Sequence, residues 1–204
     1  MLMEIISSWS QNKRSRVPFK FTTFDIPGPV LIRPQVFGDS RGFFLELYKH
    51  TDFVRAGIPQ HFVQDNYSKS ARGVLRGLHY QKSPKMQGKL VFCLIGRIYD
   101  VSVDIRKGSP WYGKWIGIEL SEENRYMLYI PPGFAHGFQV LSETAEVQYK
   151  CTGEYSPADE RGVIWNDKDL NITWPFTDPT LSGKDAVNSL LRDADNDFTF
   201  SGTS

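Results

Sequence analysis

A strand-like segment at residues 74–81 carries two side chains suited to chemistry, a cation at Arg76 and an ionisable ring at His79. The surrounding residues are apolar β-formers between two turn-forming runs, so the segment should be largely buried. Buried charge is costly unless it has a partner, and imidazole titrates near neutral pH, which indicates a functional site. Strict alternation would send the two side chains to opposite faces unless Gly77 forms a β-bulge. Without other evidence, a core histidine beside an edge arginine is the alternative.

Two further strand-like runs contribute an ammonium and a phenol. Lys89 shares a strand face with Val91 and Cys93, an expensive position for a cation unless it stabilises an anion. Tyr149 shares a face with Val147 and can act as a proton donor. The alternatives are a lysine that extends its head group to water and an ordinary core tyrosine.

The elements that must position these groups are short strands. From residue 19 onward, apolar runs are broken by Gly, Pro, Asn and Asp, which predicts an all-β antiparallel sandwich or barrel. The clearest predicted hairpin pairs residues 89–95 with residues 97–105 across Gly96. Short helices are predicted at residues 51–56 and 184–192.

Length and composition indicate one globular domain. The chain has 204 residues, of which 40% are hydrophobic and 23% charged. We expect a single domain at residues 18–204, preceded by a loosely ordered extension at residues 1–17. The net charge of +1 provides no electrostatic reason to expect nucleic acid or an anionic membrane as a partner.

The sequence predicts a cytoplasmic protein without disulfides. No apolar run is long enough to span a membrane, and the basic cluster at residues 13–16 follows the apolar start instead of preceding it, unlike a secretory signal. Cys93 and Cys151 lie in apolar runs without metal-ligand spacing, so both are expected to be buried free thiols.

The segment at residues 131–138 resembles the later of the two cupin motifs, in which a histidine three residues after a Pro-x-Gly turn points into a jelly-roll barrel. His136 occupies that place. The earlier cupin motif supplies His-x-His and a glutamate for a metal, whereas this chain has His79 followed two residues later by Gln81. Such metal sites need at least three imidazole or carboxylate ligands, so we expect a barrel without metal.

Ordered blocks between residues 37 and 185 resemble the dTDP-4-dehydrorhamnose 3,5-epimerase family. They include Arg-Gly-Phe-Phe-Leu-Glu at 41–46, Asp-Val-Ser-Val-Asp-Ile-Arg at 100–106, Ala-Glu-Val-Gln-Tyr-Lys at 145–150 and Leu-Ser-Gly-Lys-Asp at 181–185. The resemblance implies a cupin-type jelly roll, an isomerase that uses no cofactor, and a homodimer in which one partner lends residues to the other's pocket. The implied substrate is a dTDP-4-keto-6-deoxyhexose.

The ketone of such a substrate acidifies hydrogens on both neighbouring carbons. His79 is the candidate base, Tyr149 the candidate acid and Lys89 the group that stabilises the enolate. The resemblance assigns Asp185 to orient His79, but Asp167 is a second candidate and spacing does not choose between them.

The nucleotide needs cations and a stacking surface. Arg41 and Arg76 can fork onto phosphate oxygens, and either Phe43 or Phe44 could lie against thymine. Around a turn, Arg41 and Glu46 could equally be an ordinary surface pair. The remaining candidates offer hydrogen bonds or follow from the resemblance: Glu46, Gln64, Asn66, His136, Glu160 and Lys184.

The expected reaction is double epimerisation of dTDP-4-dehydro-6-deoxy-D-glucose to dTDP-4-dehydro-L-rhamnose. Three alternatives remain: epimerisation of a related sugar at one carbon, a non-catalytic sugar-binding cupin, and a metal-dependent cupin oxygenase or isomerase. Gln81 argues against the last.

Overall fold

The computed structural model describes residues 18–202, so the predicted extension at residues 1–17 lies outside the described residues, as do residues 203–204. Within this range the chain forms thirteen strands and one α-helix, α1 (His50–Arg55). The strands are β1 (Phe19–Thr23), β2 (Val30–Pro34), β3 (Val36–Asp39), β4 (Gly42–Leu45), β5 (Gln64–Ala71), β6 (Leu75–Gln81), β7 (Lys89–Ile95), β8 (Arg97–Asp104), β9 (Trp115–Ser121), β10 (Met127–Ile130), β11 (Phe134–Val140), β12 (Thr144–Cys151) and β13 (Glu160–Gly162).

The strands build two antiparallel sheets with a separate two-stranded ribbon. One sheet has the order β1-β2-β10-β7-β12-β5, the other has the order β13-β6-β11-β8-β9, and the ribbon pairs β3 with β4. The predicted all-β jelly roll is therefore confirmed, as an open pair of sheets. None of the helices among residues 18–202 has the length and apolarity to cross a bilayer.

Three layers of apolar side chains hold the sheets together. The central layer fills the space between them and includes Val91, Ile98, Leu128 and Phe138. A second layer packs the outer face of the five-stranded sheet against the C-terminal part of the chain, and a third packs the six-stranded sheet against α1. Alternate residues of each strand thus face either the interior or an outer layer, which leaves few positions for polar groups inside.

The predicted hairpin of residues 89–95 with 97–105 is wrong. The two strands are consecutive, but β7 pairs with β10 and β12 in one sheet, whereas β8 pairs with β9 and β11 in the other. Both faces of β7 are apolar, with Val91 in the central layer and Phe92 in the outer one, so it is a central strand with two partners of its own. Gly96, at φ +76°, turns the chain from sheet to sheet.

The two predicted helices have different outcomes. The first is confirmed as α1. The second is wrong, because two 3₁₀ turns, Asp185–Val187 and Leu191–Asp193, replace a helix at residues 184–192. Between them the backbone N–H of Ile164 donates to the carbonyl of Ser189 at 2.8 Å, and this pairing holds the chain extended where a helix would have continued.

Candidate active site

Strand β6 brings Arg76 and His79 to one cavity through an extra residue. His79 pairs with His136 of β11 and Arg76 pairs with Phe138. The two β6 residues are three positions apart and their β11 partners only two, so β6 has one extra residue. The bulge predicted at Gly77 is therefore confirmed. Gly77 has φ +123°, and a Cβ there would lie 2.5 Å from the Cα of Gly137. Only glycine fits this approach, which the strand needs in order to turn both side chains inward.

The cavity lies between the two sheets and has two adjacent lobes of about 280 Å³ and about 440 Å³. Both lobes are lined by the same five residues, which form the centre of the site: His79, Lys89, Tyr149, Tyr155 and Glu160. Alternation along β6 explains why His79 reaches the cavity, because its neighbours Leu78 and Tyr80 face the outer layer and His79 faces inward.

His79 is held by a carboxylate. Its Nε2 atom lies 2.5 Å from Oδ1 of Asp185, whose other oxygen accepts a hydrogen bond from the hydroxyl of Ser182 at 2.8 Å. Burial by itself raises the pKa of Asp185, but the hydrogen bonds from His79 and Ser182, together with the charges of His79 and Lys184, bring that pKa below its ordinary value. Asp185 is therefore a carboxylate at neutral pH.

The second candidate, Asp167, is engaged elsewhere. Its two oxygens accept hydrogen bonds from the backbone N–H groups of Asp169 at 2.8 Å and Leu191 at 2.7 Å. Of the two aspartates that spacing could not separate, the structure brings Asp185 to His79, and Asp167 supports the C-terminal turns.

Lys89 and Tyr149 enter the cavity from the opposite sheet. The ammonium of Lys89 makes no hydrogen bond or ion pair with any residue in 18–202. Burial lowers the pKa of Lys89, although Cys151 and Asp100 oppose this shift. Burial raises the pKa of Tyr149, so its phenol keeps its proton at neutral pH. The Lys89 amine, with no ion-pair partner among residues 18–202, and a protonated phenol thus face His79 across the cavity.

Glu160 links three elements at the rim. Its Oε2 forms an ion pair with Lys184 and accepts a hydrogen bond from the hydroxyl of Tyr155 at 2.7 Å. Burial raises the pKa of Glu160, but Lys184 and Tyr155 outweigh it and the pKa ends below its ordinary value. Sequence reasoning missed Tyr155, because the irregular loop that carries it has no periodicity to indicate which way a side chain turns.

His136 lies beside His79 on the neighbouring strand and lines the larger lobe. Its Nε2 is 2.9 Å from Oδ2 of Asp100, a residue with no exposed surface that sequence reasoning did not single out. Burial lowers the pKa of His136, and Asp100 opposes part of that shift. The site therefore contains two histidine–aspartate pairs.

Gln81 holds the fold where a metal-binding cupin has its second histidine. Its amide nitrogen donates to the carbonyls of Lys85 at 2.5 Å and Glu154 at 3.2 Å, and its oxygen accepts from the N–H of Ser156 at 2.9 Å. No group of three or more His, Cys, Asp or Glu within residues 18–202 is arranged to hold a metal ion.

Further polar side chains line both lobes. In the smaller lobe, the amide of Gln64 donates to Asn66 at 2.9 Å, and its oxygen accepts from the N–H of Tyr155 at 2.8 Å. In the larger lobe, Nε of Arg76 donates to Ser70 at 2.9 Å and leaves the rest of its guanidinium available. These three predicted residues therefore lie at the cavity.

The structure does not bring Arg41, Phe43 or Glu46 to either lobe of the same protomer. All three belong to the β3–β4 ribbon or follow it directly, and Arg41 pairs there with Asp39 at 2.5 Å. Phe43 is 61% exposed although the guanidinium of Arg125 lies 4.3 Å from the centroid of its ring, so the ribbon presents apolar surface that the protomer itself covers only in part.

Comparisons with known proteins identify the family of the chain. Residues 23–193 match the sequence model of a family described as dTDP-4-dehydrorhamnose 3,5-epimerase. A dTDP-4-dehydrorhamnose 3,5-epimerase of Shigella flexneri is 54% identical over 172 residues, which cover 84% of this chain and 95% of the relative.

Solved structures resemble the fold closely. An epimerase of Legionella pneumophila Philadelphia 1 in complex with dTDP-4-keto-L-rhamnose is 47% identical, with a TM-score of 0.83 over 85% of this chain and 93% of that one. A 3'-monoepimerase of Streptomyces bikiniensis in complex with dTDP-quinovose is 34% identical, with a TM-score of 0.78 over 83% of this chain and 86% of that one.

Proposed function

Because the chain belongs to the dTDP-4-dehydrorhamnose 3,5-epimerase family, we propose that it epimerises dTDP-4-dehydro-6-deoxy-D-glucose at carbons three and five to give dTDP-4-dehydro-L-rhamnose. One observation carries the proposal: His79, oriented by Asp185, faces Lys89 and Tyr149 across a single cavity. A base, an acid and a cation on opposite walls are what a proton exchange beside a ketone requires.

His79 is the base in this proposal. The Asp185 carboxylate accepts the N–H at Nε2 of His79, which leaves Nδ1 with a free lone pair. Nδ1 takes the proton from the carbon next to the ketone, and the electron pair of that C–H bond moves through the new C=C bond onto the ketone oxygen. The imidazolium formed is stabilised by Asp185.

Lys89 and Tyr149 complete the step. The uncompensated ammonium of Lys89 stabilises the enolate oxygen, which is negative only after proton removal. Tyr149 then donates its phenolic proton to the same carbon from the opposite face, and the enolate collapses to the ketone with inverted configuration. Exchange with solvent returns the proton to Tyr149 and removes the proton from His79. Only protons move, so the step itself consumes no redox equivalent.

The nucleotide is held by the polar rim. Arg76 carries the charge for phosphate oxygens, and Gln64 and Asn66 supply hydrogen bonds. Tyr155 lines both lobes with an exposed ring, a surface on which a pyrimidine can stack. His136, Glu160 and Lys184 border the sugar and diphosphate in this proposal.

The protein acts as a homodimer in which the β3–β4 ribbon of one protomer reaches the cavity of its partner. The exposed Phe43 and the distance of Arg41 and Glu46 from their own cavity support this arrangement. In the dimer, Arg41 would contact the diphosphate and Phe43 or Phe44 the thymine. A cytoplasmic location stays a prediction from the sequence.

Mixed dimers test the shared site. Arg41→Ala and His79→Ala each impair every cavity of their own homodimers, but a mixed dimer has one cavity with an intact His79 and the partner's intact Arg41. Refolding the two variants together should therefore restore about a quarter of wild-type activity, from statistical pairing. No recovery would place Arg41 in its own cavity and contradict the arrangement.

The reaction is tested by proton NMR of the sugar nucleotide in heavy water. Wild-type protein should incorporate two deuterons, at carbons three and five. His79→Ala should abolish exchange, whereas the matched control His61→Ala, an exposed histidine stacked on His50, should exchange normally. Tyr149→Phe should lose epimerisation but retain some exchange, because the base is intact. Unchanged exchange in His79→Ala would refute the base assignment.

A second candidate is epimerisation at one carbon. Similarity to the 3'-monoepimerase of Streptomyces bikiniensis favours it, because the same acid–base set serves either reaction. The heavy-water experiment separates the two, since a monoepimerase incorporates one deuteron. A non-catalytic sugar-binding protein would bind the nucleotide sugar and incorporate none.

A further inference from the structure

The last described part of the chain, residues 194–202, lies beyond the region that matches the family model and is anchored along the five-stranded sheet. The amide of Asn196 donates to the carbonyl of Ile105 at 2.5 Å. Farther on, the N–H of Lys107 donates to the carbonyl of Phe198, and the N–H of Phe200 donates to the carbonyl of Lys107, both at 2.9 Å. These bonds give the segment a fixed course, and we call residues 194–200 the C-terminal brace.

The brace lies directly behind the strand that carries the candidate base. Tyr80 follows His79 and points to the opposite face of β6, where its hydroxyl donates to the carbonyl of Asp195 at 2.9 Å. The ring of Phe198 packs edge-on against that of Tyr80, with centroids 6.3 Å apart. One residue of β6 thus faces the cavity while its neighbour contacts the brace.

Asp195 also joins β6 to the edge strand β13. One of its oxygens is 2.5 Å from Nζ of Lys82, just after β6, and the other accepts a hydrogen bond from Nε of Arg161 at 2.9 Å. The backbone N–H of Lys82 donates to the carbonyl of Asp159 at 3.1 Å. The carboxylate therefore closes a link between two segments that border the cavity.

Arg161 extends this link to the backbone of Glu160. Its Nη1 donates to the carbonyls of Ala158 and Glu160, both at 2.8 Å. Strand β13 has only three residues and pairs on one side only, with β6, so it has little support of its own. Fixing Arg161 fixes the main chain from which the Glu160 side chain reaches Lys184 and Tyr155.

We propose that Asp195 is a positioning residue for substrate binding: its carboxylate holds Lys82 and Arg161 and thereby sets the place of Glu160 at the cavity rim. The brace performs this task without touching the substrate. The inference rests on the proposed function for its kinetic consequence. Its structural consequence, the restraint of β13, is independent of the reaction.

The test compares Asp195→Asn with Asp193→Asn, a nearby exposed aspartate whose ion pair is with its own neighbour Arg192. Asp195 is more than half exposed, so both variants should fold. For Asp195→Asn we expect KM for the 4-keto sugar nucleotide to rise about three- to tenfold with kcat within about twofold, because binding rather than chemistry is affected. Asp195→Glu should recover part of the loss, and Asp193→Asn should match wild type.

Hydrogen exchange supplies a readout that needs no substrate. In Asp195→Asn, the peptide spanning residues 155–163 should exchange its amides at least several-fold faster than in Asp193→Asn. Unchanged exchange there would overturn the proposal whether or not the protein turns over the sugar nucleotide. Faster exchange with unchanged KM in an active protein would reduce Asp195 to a purely structural role and overturn it as well. Wild-type protein without turnover would refute the proposed function alone.

Discussion

The Nε2 atom of His79 lies 2.5 Å from Oδ1 of Asp185, although the two residues are 106 positions apart in the sequence. The β6 strand supplies the ring and a turn near the C-terminus supplies the carboxylate, so the pair forms only when the outer layer of the five-stranded sheet is complete. Base orientation and docking of the C-terminal part are therefore one structural event.

Replacing Asp185 by Asn should lower kcat about 100- to 10,000-fold, the range for a general base that loses its orienting group. The amide can present an N–H instead of accepting one, so it favours the wrong tautomer of His79. Single-turnover exchange of deuterium measures the effect. The control Asp167→Asn keeps one acceptor oxygen and so loses one of the two backbone N–H partners at residues 169 and 191; it should melt at a lower temperature yet keep near-normal exchange per folded molecule. Equal losses in both variants would argue against a special role for Asp185.

The alkaline limb of the kcat/KM profile should report Lys89. Because burial lowers its pKa below the ordinary 10.5, the ammonium loses its proton, and the enolate loses its stabilising charge, at a pH below that value. Burial shifts the pKa of Tyr149 in the opposite direction, above 10.0, so a limb that falls below pH 10 reports Lys89 and not Tyr149. In Lys89→Arg the residual activity should persist to higher pH, because guanidinium stays charged. A limb that does not move in Lys89→Arg would exclude Lys89 as its source.

Gly77→Ala should destabilise the protein by about 2–5 kcal/mol, from backbone strain at positive φ plus overpacking. The added methyl would meet the Cα of Gly137 at 2.5 Å and the carbonyl of His136 at 2.7 Å. Gly73→Ala is the matched control: φ is also positive, at +81°, but the methyl meets nothing within 4 Å, so only the strain of about 1–2 kcal/mol remains. Urea unfolding of both variants measures the difference, and equal losses would deny the close approach of β6 and β11.

Lys184→Met should destabilise the protein at pH 7 and much less at pH 3. The pKa of Glu160 is below its ordinary value of 4.5, so this carboxylate contributes stability above that pH and loses it as pH falls through the folded pKa. Without Lys184, less opposes the effect of burial on the pKa of Glu160, and the ionised carboxylate contributes less to the stability of the protein. The melting temperatures of wild type and Lys184→Met should therefore converge as the pH falls from 7 to 3. The control Arg192→Met should have the wild-type melting temperature at every pH. A gap that stays constant with pH would contradict the coupling.

Strand alternation, with one bulge added at Gly77, predicts that Lys89, Tyr149 and His79 meet in the cavity. Lys89 and Tyr149 lie inside because they share parity with Val91 and Val147 in the central layer, and His79 joins them because Gly77 adds one residue to β6. These relations are local to a single strand, so they can be derived from its sequence.

Relations between elements were harder to predict. Alternation describes the faces of residues 89–105 correctly but contains no information on which strand becomes the partner. The sequence therefore predicts a hairpin where the chain crosses between sheets at Gly96. Likewise, the choice between Asp167 and Asp185 depends on how the C-terminal part docks. The loop that carries Tyr155 is held by a hydrogen bond from its backbone N–H to Gln64, which lies far away in the sequence. None of these contacts has a signature within its own segment.

The single-residue connection at Gly96 limits how the molecule can adapt. It joins the sheet bearing Lys89 to the sheet bearing His79, and a methyl there would lie 2.1 Å from the carbonyl of Thr144, so only glycine fits at this joint. The apolar layer packed between these two sheets then sets the separation of acid and base, and a bulkier hexose has to fit the cavity at that separation. Changes in substrate range must arise at the rim loops, where selection or engineering can alter side chains without disturbing the frame.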